Sequence, residues 1–187
     1  MKKKSLEIPD IKIFESDIYT DDRGLFTETF NQKSLQEELG GLIFVQDNLS
    51  ASKKNVLRGL HYQLKNPQDK LVYVTSGKVL DVVVDIRLGS PTYKKWVTKI
   101  LDSSSMQRLL IPKGFAHGFL SLTDDVIFQY KCSDYYYPDD QFSILWNDKD
   151  LNIDWDLQSD PVLSEKDMNS ISLSVAEKEG LLPHYNS

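Results

Sequence analysis

The sequence predicts an all-β protein, a jelly-roll β-sandwich with a few short helices, mainly at the C-terminus. Three observations predict it: apolar residues recur with a period of two, the implied strands are short and closely spaced, and turn strings such as GSP and TDD separate them. A chain of 187 residues, 40% apolar and 27% charged, is typical of one globular domain, here residues 1–187. We expect residues 1–7 to be flexible.

The clearest predicted strand is VLDVVVDIR, residues 79–87. One of its faces would carry Leu80, Val82, Val84 and Ile86. The other face would mix Val79 and Val83 with Asp81, Asp85 and Arg87. This alternation is typical of a half-buried strand. A second strand, KLVYVT, precedes it, and Ser76-Gly77-Lys78 provides a tight turn between the two.

The remaining elements are predicted from the same kind of pattern. Further strands are expected at 43–50, 94–101, 107–112, 118–122 and 126–132. A short amphipathic stretch at 32–39 ends at Gly40-Gly41, as a helix C-terminus does. Two more helices are predicted near 164–169 and 173–179, within a partly helical tail at 164–187. There, Ser164 and Asp167 resemble a capping box.

The composition argues against several classes of partner. The formal net charge is −6, so we expect no nucleic-acid or membrane partner, and an anionic ligand would need a local cluster of Arg and Lys. No apolar run follows the N-terminal lysines, and no stretch approaches the roughly 20 apolar residues of a membrane helix. We therefore expect a cytoplasmic protein. The single cysteine, Cys132, allows no intrachain disulfide and is interpreted as a small buried side chain.

One predicted strand has a polar face that could line a ligand cavity. Gln46, Asn48 and Ser50 alternate with other side chains, so one face of this strand presents amides and a hydroxyl. A strand facing solvent would show the same pattern. The alternation alone therefore leaves both interpretations open.

The segment NVLRGLHYQ places Arg58 and His61 close together in an otherwise apolar run. Strict alternation would send these two side chains to opposite faces of a strand. Gly59 offers a way around this, because a glycine within a strand often marks a bulge that re-aims its neighbours. A lone strand histidine is more often structural than catalytic, so the segment by itself does not define a site.

A second histidine lies in IPKGFAHGF, whose Pro112-x-Gly114-x-x-His117 spacing resembles the second half of the cupin signature. Metal-binding cupins add an earlier His-x-His and a Glu. Here the earlier strand offers only His61, with Gln63 at the position of the second histidine, and no suitably spaced acid follows. Two ligands are fewer than the three or four that a transition metal needs. The sequence therefore predicts a site without metal.

Seven strings in this chain resemble, in order, those of the dTDP-4-dehydrorhamnose 3,5-epimerase family. They are DDRGLFTETF, VQDNLSASKKNVLRGLHYQ, QDKLVYVTSGKVLDVVVDIR, SPTY, IPKGFAHGF, YKCSDYYYP and ILWND. The resemblance covers about residues 8–170. It implies a jelly-roll homodimer with no metal and no organic cofactor. It also implies epimerisation of a dTDP-linked 4-keto-6-deoxyhexose at C-3 and C-5, a step of dTDP-L-rhamnose biosynthesis.

The resemblance also implies roles for particular residues. By motif position, His61 corresponds to the catalytic base, Asp167 to its partner and Tyr130 to the acid on the opposite face of the sugar. Lys70 is placed like the lysine that faces the developing enolate oxygen. The implied substrate-binding residues are Arg23, Phe26, Glu28, Gln46, Asn48, Arg58, His117, Tyr136 and Lys166, with Tyr136 stacking on the thymine. The segment from Arg23 to Glu28 is implied to reach into the neighbouring subunit's site.

One departure from the family pattern keeps a related activity open. Gln141-Phe142 stands where the family usually has an acid followed by glycine, and Asp139 or Asp140 could compensate for the lost carboxylate. The alternatives are an epimerase that acts on one carbon or on another nucleotide-linked 4-keto sugar, a metal-dependent cupin, and a non-catalytic sugar-binding cupin.

Overall fold

The structure, a computed structural model, describes residues 2–36 and 39–185 and is built mainly from antiparallel strands. The strands are β1 (Lys2–Ser5), β2 (Lys12–Glu15), β3 (Ile18–Asp21), β4 (Gly24–Thr27), β5 (Gln46–Ser52), β6 (Leu57–Gln63), β7 (Lys70–Ser76), β8 (Lys78–Asp85), β9 (Trp96–Asp102), β10 (Arg108–Ile111), β11 (Phe115–Ser121), β12 (Val126–Cys132) and β13 (Gln141–Ser143). The helices are α1 (Gln32–Gln36), α2 (Glu165–Met168) and α3 (Leu173–Lys178).

Two sheets stack as a sandwich, and a separate hairpin projects from it. The six-stranded sheet has the order β1-β2-β10-β7-β12-β5, and the five-stranded sheet has the order β13-β6-β11-β8-β9. Strands β3 and β4 pair with each other as the hairpin. The predicted jelly-roll architecture is confirmed. None of the helices in the described ranges is long and apolar enough to cross a membrane.

The interior of the sandwich is an apolar cluster made from alternate residues of facing strands. Val72, Val74 and Phe128 point inward from the six-stranded sheet. Val79 and Val83 meet them from the five-stranded sheet. Because successive side chains of a strand point to opposite faces, the same register turns polar residues of these strands inward at one end of the sandwich. That end holds the candidate site.

The prediction that β8 is half-buried is wrong, because both of its faces are covered. Val79 and Val83 face the sandwich interior, whereas Val82 and Val84 belong to a second cluster on the outer side of the sheet. That outer cluster is completed by side chains from the C-terminal part of the chain, namely Trp155, Leu173, Ala176 and Leu182. The tail is thus a third layer over the five-stranded sheet, which local alternation could not reveal.

Part of the N-terminal segment that we expected to be flexible, residues 1–7, lies in a strand, and its flexibility stays a prediction. Strand β1 pairs along its whole length with β2, which in turn pairs with β10. Met1 lies outside the described residues. The four N-terminal strands span four residues each and carry many polar side chains. Apolar alternation over so few residues is too short to predict a strand.

The other predicted elements are found with shifted ends. The strand predicted at 43–50 begins at Gln46, the one at 94–101 begins at Trp96, and the one at 118–122 is the longer β11. The helix predicted at 32–39 is α1, and its positions 37 and 38 lie outside the described residues. Gly77, with φ of +75°, forms the predicted tight turn, which joins strands of different sheets.

Candidate active site

A cavity of about 370 Å³ opens between the two sheets at one end of the sandwich. The six-stranded sheet lines it with Gln46, Asn48, Ser50, Lys70, Phe128, Tyr130 and Cys132, and the five-stranded sheet with Arg58, His61, Gln63, His117 and Phe119. Gln68, Tyr136 and Gln141 add to the wall. The polar face of β5 is therefore an inner face, which decides between the two interpretations that alternation left open.

A bulge in β6 turns Arg58 and His61 into the same cavity, as the glycine between them suggested. His61 pairs with His117 and Arg58 with Phe119, so β6 has one residue more than β11 between these two pairs. Gly59 has a φ of +123°, and a Cβ there would lie 2.5 Å from Cα of Gly118. Only glycine therefore fits this crossing of β6 and β11.

His61 is held by a carboxylate that comes from the C-terminal tail. Its Nε2 lies 2.6 Å from Oδ1 of Asp167, although 106 residues separate them in sequence. Asp167 belongs to α2, whose N-cap Ser164 accepts a hydrogen bond from the Asp167 amide and donates its hydroxyl to Asp167 Oδ2. The capping interaction is confirmed. The usual Glu or Gln is replaced by an aspartate whose other oxygen reaches His61.

The environment keeps Asp167 ionised. Burial is the largest influence and raises the pKa of this carboxyl, but the hydrogen bond and charge of His61, with the Ser164 hydroxyl, outweigh it. The net effect holds the pKa of Asp167 below its usual range. A stable carboxylate next to Nε2 fixes the orientation of the imidazole, and Nδ1 is then the ring nitrogen that does not contact Asp167.

A second histidine–carboxylate pair was missed by sequence reasoning. His117 Nε2 lies 2.9 Å from Oδ2 of Asp81, and the Asp81 side chain is completely buried. The alternation of β8 had placed Asp81 with the charged Asp85 on a face assumed to be partly exposed. The alternation itself could have indicated this pair, because it places Asp81 on the same face as Val79 and Val83, and that face lies in the interior.

Tyr130 lies on the opposite wall from His61, since β12 and β6 belong to different sheets. Burial, followed by the neighbouring Cys132, raises the pKa of the Tyr130 phenol, and Arg58 opposes the rise. The phenol therefore stays protonated at neutral pH. A protonated phenol and an imidazole then face one cavity from two sides.

Lys70 lies beside Cys132, its partner across the β7–β12 ladder, on the inner face of the six-stranded sheet. Burial lowers the pKa of Lys70, while the neighbouring Cys132 and Asp81 oppose the shift. Burial also raises the pKa of the Cys132 thiol, as expected for the predicted buried cysteine. Among the described residues the Lys70 ammonium has no hydrogen-bond partner, so it is available to a ligand.

Polar contacts fix the other predicted ligand-binding side chains at the wall. Arg58 donates to Oγ of Ser52 and to the Ala51 carbonyl. Gln46 donates to Asn48 and accepts from the Tyr136 amide. These contacts bind the strand and loop side chains to one another, so the wall is preformed.

Gln141, the departure from the family pattern, joins two side chains at the mouth of the cavity. Its Oε1 accepts from the Tyr136 hydroxyl at 2.7 Å and from Lys166 Nζ at 2.8 Å. Asp140 does not compensate for the missing carboxylate, because its oxygens accept from the amides of Lys65 and Asn66. It caps a loop instead.

Four predicted binding residues do not line this cavity. Lys166 contacts it only through Gln141, and the other three come from the N-terminal part of the chain. Arg23 and Phe26 belong to the hairpin, and Glu28 follows it directly. Arg23 pairs with Asp21 on the same hairpin, and the Phe26 side chain is 71% exposed. Within one chain the structure therefore does not bring these three residues together with His61.

Gln63, at the position of a possible second metal ligand, is used by the fold. Its amide donates to the carbonyls of Asn66 and Tyr135 and accepts from the Tyr137 amide. Over the described ranges no three His, Cys, Asp or Glu side chains lie close enough together to hold a metal ion. Both cavity histidines pair with carboxylates instead.

Fold and site together define a cupin-like jelly-roll enzyme with a cavity for a small molecule. A family model described as dTDP-4-dehydrorhamnose 3,5-epimerase matches residues 5–174. The chain belongs to this family of epimerases.

The relatives agree along nearly the whole chain. A dTDP-4-dehydrorhamnose 3,5-epimerase from Pseudomonas aeruginosa is 47% identical over 178 residues, which are 95% of this chain and 98% of the relative. The structure of a dTDP-6-deoxy-D-glucose-3,5-epimerase from Legionella pneumophila, in complex with dTDP-4-keto-L-rhamnose, matches with a TM-score of 0.96 at 49% identity, covering 100% of this chain and 99% of that chain. A 3'-monoepimerase from Streptomyces bikiniensis, in complex with dTDP-quinovose, matches with a TM-score of 0.92 at 37% identity, covering 97% and 92%.

Proposed function

We propose that the protein epimerises dTDP-4-dehydro-6-deoxy-D-glucose at C-3 and C-5 to dTDP-4-dehydro-L-rhamnose, for dTDP-L-rhamnose biosynthesis. The observation that carries the proposal is the opposition of His61, held by Asp167, and Tyr130 across one cavity. Facing sheets lie about 10 Å apart, so a sugar ring fits between these two walls. Relatives of nearly half-identical sequence bear this activity in their names.

His61 acts as the base in the proposed reaction. The ketone at C-4 makes the hydrogens on C-3 and C-5 acidic, so the substrate itself accepts the electron pair. With Nε2 bonded to Asp167, Nδ1 is the nitrogen that takes the proton, and the carboxylate stabilises the resulting imidazolium. Positioned proton transfer of this kind contributes typically about 10²–10⁴-fold to the rate.

Lys70 stabilises the enolate that forms. As the C–H bond breaks, its electron pair moves onto the C-4 oxygen, and the Lys70 ammonium, which has no hydrogen-bond partner among the described residues, meets the new negative charge. Such aimed charge is often the largest contribution to catalysis. The lowered pKa of Lys70 makes its ammonium a better proton donor to that oxygen.

Tyr130 completes the inversion. Its phenol donates a proton to the same carbon from the opposite face, the enolate returns to the ketone, and the configuration at that carbon is reversed. His61 loses its proton to solvent and Tyr130 regains one, so nothing is consumed. The raised pKa of Tyr130 keeps the donor protonated between turnovers.

The nucleotide part of the substrate is bound by cations although the protein is acidic. The described residues that line the cavity include Arg58 and Lys70 but no Asp or Glu. Lys166 is held at the mouth of the cavity by its hydrogen bond to Gln141. We assign the diphosphate to Arg58 and Lys166. The remaining polar contacts are assigned to Gln46, Asn48 and His117, and the thymine to Tyr136.

A homodimer supplies the binding residues that the cavity lacks. Arg23 and Phe26 lie on an exposed hairpin, and Glu28 follows it; in the proposed dimer this segment enters the site of the second copy. The exposed aromatic face of the hairpin, with Tyr19 64% and Phe26 71% exposed, favours such a contact. The cytoplasmic location expected from the sequence stays a prediction.

Isotope exchange tests the proposed reaction. The protein is incubated with dTDP-4-keto-6-deoxyglucose in heavy water and the product is read by NMR. We expect deuterium at both C-3 and C-5, and none with the folded His61→Ala variant. No deuterium at either carbon with the unmodified protein contradicts the proposal.

The second candidate function is epimerisation of a single carbon. It is favoured by the similarity to the 37% identical 3'-monoepimerase and by the neutral Gln141 at the mouth of the cavity. The same NMR experiment separates the two, because a single-carbon epimerase incorporates deuterium at one position only.

A further inference from the structure

The hairpin of β3 and β4 has little to hold it in place within one chain. Among the described residues its strands pair only with each other. A two-stranded hairpin is marginally stable on its own. Thr27 closes the base by donating to the Asp17 carbonyl, but this contact joins the hairpin to itself. What fixes the base of the hairpin to the sandwich therefore decides where its tip lies.

Arg108 makes that attachment. It belongs to β10 and lies on the outer face of the six-stranded sheet, with no exposed surface. Its Nη1 donates to Oγ of Ser16 at 2.6 Å, and its Nη2 donates to the carbonyl of Glu28 at 2.8 Å. Ser16 precedes the hairpin and Glu28 follows it. A single guanidinium thus ties both ends of the hairpin to the sheet.

The burial of the charged Arg108 side chain carries a desolvation cost. No carboxylate of the described residues lies within ion-pair distance of it, and its Nε has no hydrogen-bond partner. Burial lowers the pKa of this guanidinium, although Tyr73 and the charge of Glu28 oppose the shift. The Tyr73 ring, with its centroid 6.0 Å away, gives only a weak cation–π contact. Replacement of buried charged groups by apolar side chains of similar size is often neutral or stabilising, so stability alone does not require an arginine here.

We propose that Arg108 is the positioning residue of the hairpin, and that it thereby places Arg23, Phe26 and Glu28 in the substrate site of a second copy of the chain. The rigid fork of an arginine can hold two acceptors at a fixed separation, which a lysine cannot do. This inference rests on the proposed function and its homodimer. It adds a residue that touches neither substrate nor cavity.

Substitution of Arg108 is expected to change binding and not chemistry. For Arg108→Met we expect KM for the 4-keto sugar nucleotide to rise about tenfold, the effect of one lost charge-assisted contact, with kcat within about threefold of the unmodified protein. The KM of Arg108→Lys should fall between those of the unmodified protein and Arg108→Met. The melting temperature of Arg108→Met should be unchanged or higher, because a buried cation is removed. A fall in kcat with KM unchanged overturns the proposal.

Mixed dimers decide whether the effect crosses between subunits. Differently tagged Arg108→Met and His61→Ala chains are co-expressed and the mixed dimer is isolated. Its only active site lies in the Arg108→Met chain and receives an intact hairpin, so KM should equal that of the unmodified protein. In the reciprocal dimer, an unmodified chain beside a chain with both substitutions, KM should be raised. The opposite pattern, or a monomer by light scattering, overturns the proposal.

Two further measurements keep the inference separate from the reaction. If the unmodified protein exchanges no deuterium, the proposed function fails, but calorimetric titration with dTDP still tests Arg108. Weaker binding of dTDP by Arg108→Met than by the unmodified protein supports the proposal. Equal binding by the two proteins, or no binding by the unmodified protein, overturns it. If Arg108→Met does not fold, Ser16→Ala replaces it. That variant removes one of the two attachments and should show a smaller rise in KM with the same mixed-dimer pattern.

Discussion

At the scale of single residues, the site depends on what each polar group is bonded to. His61 and His117 both line the wall opposite Tyr130 and both pair with carboxylates, but the partner of His61 comes from the C-terminal tail and that of His117 from a neighbouring strand. Asp167 serves two elements at once: it accepts from Ser164 at the start of α2 and holds the His61 ring. The loss of either contact should therefore be felt in catalysis.

Asp167→Asn tests the partner of the base. The amide keeps the size of the side chain but cannot stabilise a charged imidazolium, so we expect kcat to fall by about 10²–10⁴-fold. KM should change little, because Asp167 does not line the cavity. Deuterium exchange at C-3 and C-5 measures the loss, and Asp154→Asn, on an exposed loop, is the control. An active Asp167→Asn variant argues against a His61–Asp167 base.

Lys70→Met tests whether a side chain can be costly to the fold and necessary for the reaction. We expect kcat to fall by about 10²–10³-fold, the effect of losing an aimed charge on an oxyanion. The free energy of unfolding should rise by about 1 kcal/mol, or about 2–4 °C in melting temperature, because a desolvated ammonium is removed. The exposed Lys95→Met serves as control for both. A destabilised but active variant would show that Lys70 is structural.

At the scale of elements, β6 shows how far sequence reasoning reaches. Gly59 within NVLRGLHYQ indicated a bulge, and the structure has it. The close approach of Gly59 to Gly118 could not be predicted, because it depends on how β6 and β11 cross. The pairing of His61 with Asp167 came only from the family resemblance, since no local pattern joins residues so far apart.

Gly59→Ala should destabilise the protein more than its backbone conformation alone explains. The φ-matched control is Gly24→Ala, since Gly24 has φ of +127° but open space around its Cβ position. We expect about 1–2 kcal/mol for the control, from the unfavourable backbone alone, and at least about 2 kcal/mol more for Gly59→Ala, from contact with Gly118 and His117. Denaturant unfolding measures both, and equal losses would refute the steric explanation.

At the scale of the whole molecule, the layers explain which predictions failed. The strand pattern predicted a sandwich correctly, but β8 was taken as half-buried because its outer cover comes from the C-terminal tail. The role of Asp81 was missed for a similar reason, because its partner His117 is remote in sequence and lies on another strand. The apolar pattern along a strand predicts which side chains share a face, whereas the burial of that face depends on which distant segments pack against it.

Acid should weaken the whole fold partly through Asp167. Its pKa is lower in the folded protein than the value of about 3.9 for an unfolded aspartate, so ionised Asp167 contributes stability above that value and loses it as pH falls through the folded pKa. The difference in free energy of unfolding between the unmodified protein and Asp167→Asn should therefore shrink as the pH falls from about 5 to below 4. Urea unfolding across this range measures it, and a difference that grows in acid contradicts the assignment.

The position of α2 also orders events during synthesis. A ribosome releases the strands that carry His61, Lys70 and Tyr130 before it adds the helix that carries Asp167. Domains begin to fold from the N-terminus while translation continues. His61 therefore leaves the ribosome before the carboxylate that orients it, and the proposed base is complete only once α2 has been added.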